Sequence, residues 1–287
     1  MKPFLILLLS FAGYSVSGQT TISLSIDSVR FSSSGVTLAG TIFKPQRPFA
    51  AIVLVHGSGQ ETRMLQLAEH LAGRGIAVLT YDKRGVGKSG GVYAGPEVGT
   101  NNIDAANLRL LASDVNAACG ILKTFLKEAR LPMGLMGFSQ AGWIIPLAAQ
   151  NDSSLRFMVI FSGAVVTTLE QLRFQFYTKS NPKFWDTHTE DEVREHVLND
   201  ADRYQFTATD PQEALLNISV PGFWIFGGRD VQVPVALSIA KLNVLKAEGK
   251  HYDLKFFPEL GHNTAFSKSQ EPMEAALRWV KSKTSDR

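Results

Sequence analysis

Cysteine occurs once in the 287 residues, as Cys119. A single thiol excludes an intrachain disulfide and a cysteine-based zinc site. Its neighbours, Ala117-Ala118 and Gly120-Ile121-Leu122, read as helix, so Cys119 is expected as a small buried hydrophobe. An excess of one charge is also missing. Lys plus Arg number 29 against 26 Asp plus Glu, a net of +3 spread along the chain, which cannot supply the basic stripe of a nucleic-acid-binding surface. No apolar run approaches the ~20 residues that span a bilayer, so no stable membrane insertion is expected. Internal repeats and low-complexity tracts are lacking too. With 45% hydrophobic and 19% charged residues, the chain has the composition of a packed globular protein rather than a disordered one. Its length is compatible with a single α/β domain.

The first residues read as an address. Met1-Lys2-Pro3 precedes an apolar stretch from Phe4 to Gly13, and small residues follow at Val16-Ser17-Gly18. One positive charge, a short apolar run and a small-residue end form a secretory signal. Cleavage after Gly18 would leave residues 19–287 as the mature domain, secreted or periplasmic. No cysteine follows the run, which argues against a lipoprotein.

Beyond it, Thr21–Phe31 and Val36–Phe43 alternate apolar and polar residues around Ser32-Ser33-Ser34-Gly35, the pattern of an antiparallel hairpin. Ala50–Val55 and Ile76–Tyr81 are continuous apolar runs, expected of strands buried on both faces. Further strands are read at Met133–Gly137, Phe157–Phe161, Phe223–Phe226 and Leu254–Phe257. Helical spacing marks Arg63–Gly73, Asp104–Ala129, Gln140–Gln150 and Glu271–Lys283. Strands alternating with helices predict a mostly parallel sheet covered on both faces. Between Val166 and Ser219 no strand is read, and helices over Leu169–Lys179 and Glu190–Tyr204 suggest an inserted cap.

Four loops, each after a strand, carry chemistry. Gly137-Phe138-Ser139-Gln140-Ala141-Gly142 follows a strand and opens a helix, as a nucleophile elbow must; Ala141 stands where G-x-S-x-G has its last glycine. His56-Gly57-Ser58-Gly59 follows a buried strand. Together these two loops offer the backbone N–H groups of Ser58 and Gln140 to an oxyanion, while His56 is read as a residue that shapes the loop rather than as a base. Phe226-Gly227-Gly228-Arg229-Asp230 offers a carboxylate to orient an imidazole. Leu260-Gly261-His262-Asn263 offers that imidazole as the proton carrier. The order Ser139, Asp230, His262 is that of α/β-hydrolases and differs from trypsin-like and subtilisin-like chains.

On these motifs the chain resembles a secreted α/β-hydrolase with a serine nucleophile over roughly residues 21–285, close to esterases and to serine aminopeptidase-like and dipeptidyl-peptidase-like hydrolases. Tyr81-Asp82-Lys83-Arg84-Gly85-Val86-Gly87-Lys88-Ser89 adds to the resemblance. It implies an eight-stranded sheet with the helical cap, about residues 166–219, entering after strand six. Gly85–Gly90 also matches G-x-G-x-x-G, but Gly91–Pro96 cannot open the helix a dinucleotide site needs, and Asp82 replaces the first glycine of a phosphate-binding loop. Asp82 and Arg84 are expected to pair and brace this loop instead.

The favoured function is hydrolysis of carboxylic esters of small acyl substrates by Ser139, His262 and Asp230, a mechanism that requires no metal and no cofactor. Trp143, Phe174, Tyr177 and Trp185 are candidates for an acyl pocket, the competing reading being anchorage of the cap. A peptidase with the same triad would need an acidic or amide anchor for a substrate amine, for which Glu170 and Glu190-Asp191-Glu192 are candidates. A non-catalytic binding protein is a third reading, disfavoured by the intact constellation. Oligomeric state is not legible.

Overall fold

A computed structural model describes residues 23–95, 102–126, 131–200 and 206–285. The expected signal segment, residues 1–18, lies outside the described residues. The hairpin forms as β1 (Leu24–Ser33) and β2 (Val36–Pro45), turning at Ser34 and Gly35, both with positive φ. The buried runs become β3 (Ala50–Val55), β4 (Ile76–Tyr81), β5 (Met133–Phe138), β6 (Leu155–Phe161) and β7 (Gly222–Gly227), and the last strand is β8 (Tyr252–Phe257). They make one eight-stranded sheet in the order β1-β2-β4-β3-β5-β6-β7-β8. Only the β1–β2 and β2–β4 pairings are antiparallel.

Why the central strands are apolar at every position is visible in β3. Ala51, Val53 and Val55 enter one core and Ile52 and Leu54 the other, on opposite faces of the sheet. The first face is covered by α2 (Ala105–Phe125) and α3 (Ala141–Gln150), the second by α1 (Leu65–Gly73) and α8 (Glu271–Thr284). Cys119 is buried within α2, and burial pushes its thiol up to about 12, leaving it inert.

Between β6 and β7 come α4 (Thr168–Thr178), α5 (Glu190–Asn199) and the short α6 (Pro211–Leu216), with no strand among the described residues there. Thr167 with Glu170 and Thr189 with Glu192 form capping boxes that start α4 and α5. The helix read over Glu190–Tyr204 ends at Asn199, and residues 201–205 lie outside the description. Two helices escaped the sequence reading: α6, only six residues long, and α7 (Val235–Ala247), whose apolar residues are too evenly distributed to show a stripe.

Strand order reverses beside β3. From β3 the chain passes to β4 on one side, and β5 then lies on the other, so the loops after β3 and β5 flank a crevice at the carboxyl ends of the strands. Val55 pairs with Gly137, which brings His56-Gly57-Ser58 beside Ser139.

Candidate active site

Ser139 stands at φ +52°, a left-handed conformation costly for a residue with a side chain. The sheet ladder extends into the turn, because the Ser139 N–H donates to the Phe161 carbonyl at 2.9 Å. The small neighbours are sterically required. A Cβ on Gly137 would lie 2.5 Å from the Ala141 Cβ, and one on Gly142 would lie 2.7 Å from the Ala164 backbone. Gly57 lets the preceding loop close on the elbow, since its Cβ would already be 3.7 Å from that of Ser139. The backbone N–H groups of Ser58 and Gln140 have no acceptor among the described residues.

Asp230 follows β7 and is completely buried. Its Oδ1 accepts the N–H groups of Gln232 (2.7 Å) and Val233 (3.0 Å). Its Oδ2 lies 2.8 Å from Nδ1 of His262. A carboxylate only accepts, so Nδ1 carries the proton and Nε2 is left as an acceptor. The two loops meet because Gly227 and Gly228 have no side chains. A Cβ on the first would lie 2.3 Å from the Gly261 carbonyl oxygen, and on the second 2.6 Å from that of Pro258. His262, 21% exposed, and Ser139 both line one hollow of about 200 Å³. Its walls include Ser58, Glu61, Phe138, Phe161, Ser162 and the turn Thr264–Phe266. The hydroxyls of Ser162 and Thr264 meet at 2.8 Å, tying the end of β6 to the histidine loop.

His56 stays apart from this arrangement. It is buried edge-on against Tyr81, with ring centroids 4.9 Å apart, and its Nε2 has no hydrogen-bond partner among the described residues. Burial, helped by nearby Lys83, lowers its pKa to about 3, so it is neutral.

The aromatic candidates for an acyl pocket do not line the hollow. Trp143 and Phe174 are core residues, and the indole N–H of Trp143 donates to the Val166 carbonyl at 2.9 Å. Trp185 donates to the Asp230 carbonyl at 2.7 Å, while Tyr177 stacks on His196 with ring centroids 3.9 Å apart. The two tryptophans anchor the cap as large amphipathic side chains do when their polar end finds a backbone partner, and Phe174 and Tyr177 pack edge-on against Phe184. The acidic candidates are also elsewhere. Glu170 caps α4 and pairs with Lys241 at 3.2 Å, and Glu192 caps α5. Glu190 and Asp191 share that first turn and do not line the hollow.

Asp82 and Arg84 do not pair. Asp82 binds Arg63, and Arg84 holds Asp114, from α2, through Nε at 3.0 Å and through Nη2. Each partner is remote in sequence, which is why the adjacent opposite charges misled. The residue between them was missed. Lys83 is buried and donates to the Gly57 carbonyl (2.6 Å) and to Oε1 of Gln140 (3.0 Å). Glu61 was missed too; its Oε2 accepts the Gly57 N–H at 3.1 Å. Burial raises the Glu61 pKa, with Lys83 and the Gly57 N–H opposing. A signal existed for Lys83: two adjacent parallel strands, each ending in a loop, must place those loops side by side.

A mostly parallel eight-stranded sheet with helices on both faces, and a serine on a strained strand-to-helix turn, define the class as an α/β-hydrolase. Within it, residues 46–211 match the family model described as serine aminopeptidase, S33, and the chain belongs to that family. Among solved structures, the chain superposes on a Pyrococcus furiosus esterase with a TM-score of 0.66 at 19% identity, covering 95% of this chain and 100% of that one. A Bacillus coagulans carboxyl esterase in complex with glycerol gives 0.65 at 15% identity, over 91% of this chain and 100% of that one. A Pyrococcus horikoshii acylaminoacyl peptidase gives 0.63 at 16%, over 96% of this chain but 44% of the peptidase. A Mycobacterium tuberculosis protein named putative phosphoribosyl transferase is 31% identical over 132 residues, 45% of this chain. The chain spans 28% of that relative's length.

Proposed function

We propose that the protein is a serine hydrolase that cleaves carboxylic esters of short acyl chains through an acyl-enzyme intermediate. The observation that carries this reading is the His262–Asp230 contact at 2.8 Å beside the hollow that Ser139 shares. Ser139 Oγ attacks the ester carbonyl while Nε2 of His262 takes its proton. Asp230 holds the tautomer and stabilises the imidazolium. The N–H groups of Ser58 and Gln140 receive the negative oxygen. Protonated His262 then gives its proton to the departing alcohol, and water, activated by the same imidazole, releases the acid. The short-chain preference follows from volume: about 200 Å³ is small beside the roughly 300–1,000 Å³ of sites that enclose drug-sized ligands.

Amide cleavage with the same residues is supported by the family's description. Among the described residues, an amine anchor would have to come from Glu61, the acidic residue lining the hollow, whose carboxylate is already engaged by Gly57. Ester cleavage therefore ranks first. The leading residues 1–18 are proposed as an export signal, with residues 19–287 as the mature domain and the helices of about residues 166–219 as its cap. Recovery of a chain beginning near Gln19 outside the cytoplasm would support this; retention of Met1 there would refute it.

A fluorophosphonate probe should label Ser139 in the folded protein, and Ser139→Ala should lose about 10⁶-fold in kcat on p-nitrophenyl acetate. Turnover surviving in Ser139→Ala would remove the proposal. Faster cleavage of aminoacyl anilides than of p-nitrophenyl esters would reverse the order of the two readings.

A further inference from the structure

We infer that Lys83 is a positioning residue for the oxyanion hole, one side chain that sets both backbone donors at once; this rests on the serine-hydrolase reading above. Its Nζ donates to the Gly57 carbonyl at 2.6 Å and to the side-chain oxygen of Gln140 at 3.0 Å. The Gly57 carbonyl belongs to the peptide group that carries the Ser58 N–H. In a planar trans peptide the carbonyl and N–H point in opposite directions, so holding one aims the other. The same contact draws electron density toward the carbonyl oxygen and makes the Ser58 N–H a stronger donor. At its other contact Lys83 holds Gln140, whose backbone N–H is the second donor and whose side-chain amide is fixed from the far side by the Asn102 carbonyl.

The loop is clamped elsewhere by the same stretch of chain. The Gly57 N–H is held by Glu61, the Lys83 N–H donates to the Glu61 carbonyl at 3.0 Å, and the Tyr93 hydroxyl donates to the Ser58 carbonyl at 2.8 Å. Lys83 itself is 2% exposed, at the end of β4 beside β3. A lysine taken out of water to meet two amide oxygens, even with Glu61 near it and the Tyr93 ring 5.6 Å from its Nζ, is an expensive way to brace a loop. Its cationic charge, behind the Ser58 donor and against the side chain of Gln140, accounts for its presence, because charge that favours a developing oxyanion acts most strongly where water is excluded.

Acylation and deacylation both pass through the oxyanion, so the expected signature lies in kcat. Lys83→Met, close in length and apolar, should lower kcat on p-nitrophenyl acetate about 10- to 100-fold, somewhat less than deletion of an oxyanion donor. KM should stay within about threefold, and affinity for butylboronic acid, which forms a tetrahedral adduct with the serine, should fall by about the same factor as kcat. Lys83→Arg should lose less than Lys83→Met. The idea fails if Lys83→Met keeps kcat within twofold, or if kcat falls while boronate affinity does not. Should Lys83→Met not fold by circular dichroism, Gln140→Met decides: it keeps the backbone donor, removes one acceptor of Lys83, and is expected to lower kcat about three- to tenfold. Unchanged kcat in that variant overturns the inference. An inactive Ser139→Ala alongside an unaffected Lys83→Met would sink only the role of Lys83, whereas an active Ser139→Ala would sink the reading beneath it.

Discussion

Asp82 and Asp230 occupy the same kind of place, yet they do different things. Each follows a buried strand, β4 and β7, and each is almost or fully inaccessible. Each accepts two backbone N–H groups, from Arg63 (2.9 Å) and Lys88 (2.8 Å) for Asp82, and from Gln232 and Val233 for Asp230. The difference is the side chain that completes the shell. Asp82 receives the Arg63 guanidinium at 3.1 and 3.2 Å, a group that keeps its proton at any accessible pH. That contact is a permanent crosslink between β4 and the segment after the oxyanion loop. Asp230 receives an imidazole, a group that can accept and return a proton in catalysis, and the imidazole faces a hollow. A carboxylate at a strand end is therefore not diagnostic by itself; its partner decides whether it is structural or chemical.

Of the effects expected for this pair of carboxylates, the largest tests that division directly. Asp230→Asn should lower kcat about 10⁴-fold by misorienting His262, with a small shift in the unfolding midpoint. Steady-state kinetics and thermal melts of one preparation check both halves. Asp82→Asn should show the opposite profile, with kcat retained within about tenfold and a loss near 3 kcal/mol in urea unfolding, as when a buried ion pair is broken. A catalytically dead but fully stable Asp82→Asn would dissolve the comparison. Burial pushes the Asp82 pKa up, but the N–H groups of Lys88 and Arg63 with the guanidinium outweigh it and hold the pKa below the ordinary range. Its contribution to stability is thus present above the unfolded value near 3.9 and disappears as pH falls through the folded value. The deficit of Asp82→Asn should shrink accordingly in acid.

His56, at the end of β3, sharpens the contrast because burial and nearby Lys83 outweigh the pull of Asp82 on its imidazole. With its folded pKa at about 3 and the unfolded value near 6.5, the unfolded chain holds a proton there that the folded one refuses. Between those pH values this group makes stability rise with pH by about 1.4 kcal/mol per unit. His56→Asn should remove that slope from urea-unfolding free energies measured between pH 4 and 6, whatever its effect on absolute stability. An unchanged slope would show that His56 titrates in the fold. The smallest effect is expected at the rim of the hollow, where Phe266 is exposed and contacts Phe138 with ring centroids 5.2 Å apart. Phe266→Ala should change relative kcat/KM between acetate and hexanoate p-nitrophenyl esters by about three- to tenfold in favour of the longer chain, a one-side-chain pocket effect.

Much of this was legible from residue order. Two-sided apolar runs such as Ile52–Val55 announce central strands, because only a strand with helices on both faces has no polar side. The turn around Ser139 was legible because Gly137 and Ala141 answer a local steric need. The Thr167–Glu170 and Thr189–Glu192 capping boxes are equally local signals, though the sequence reading did not use them. The helix Val235–Ala247 was not legible, since its apolar residues are not confined to one face.

What the sequence by itself determined is whatever depends on neighbours along the chain: strand and helix identity, the elbow, and the order of serine, carboxylate and imidazole. Tertiary structure alone decided pairings between distant segments. It gave Asp82 to Arg63 rather than Arg84, turned Trp143, Phe174, Tyr177 and Trp185 into anchors rather than pocket walls, and set Lys83 behind Gly57 and Gln140. The physical reason is range. Backbone sterics and hydrophobic periodicity act within a few residues, whereas a buried charge takes whichever opposite charge or carbonyl the packing of the sheet brings within about 3 Å.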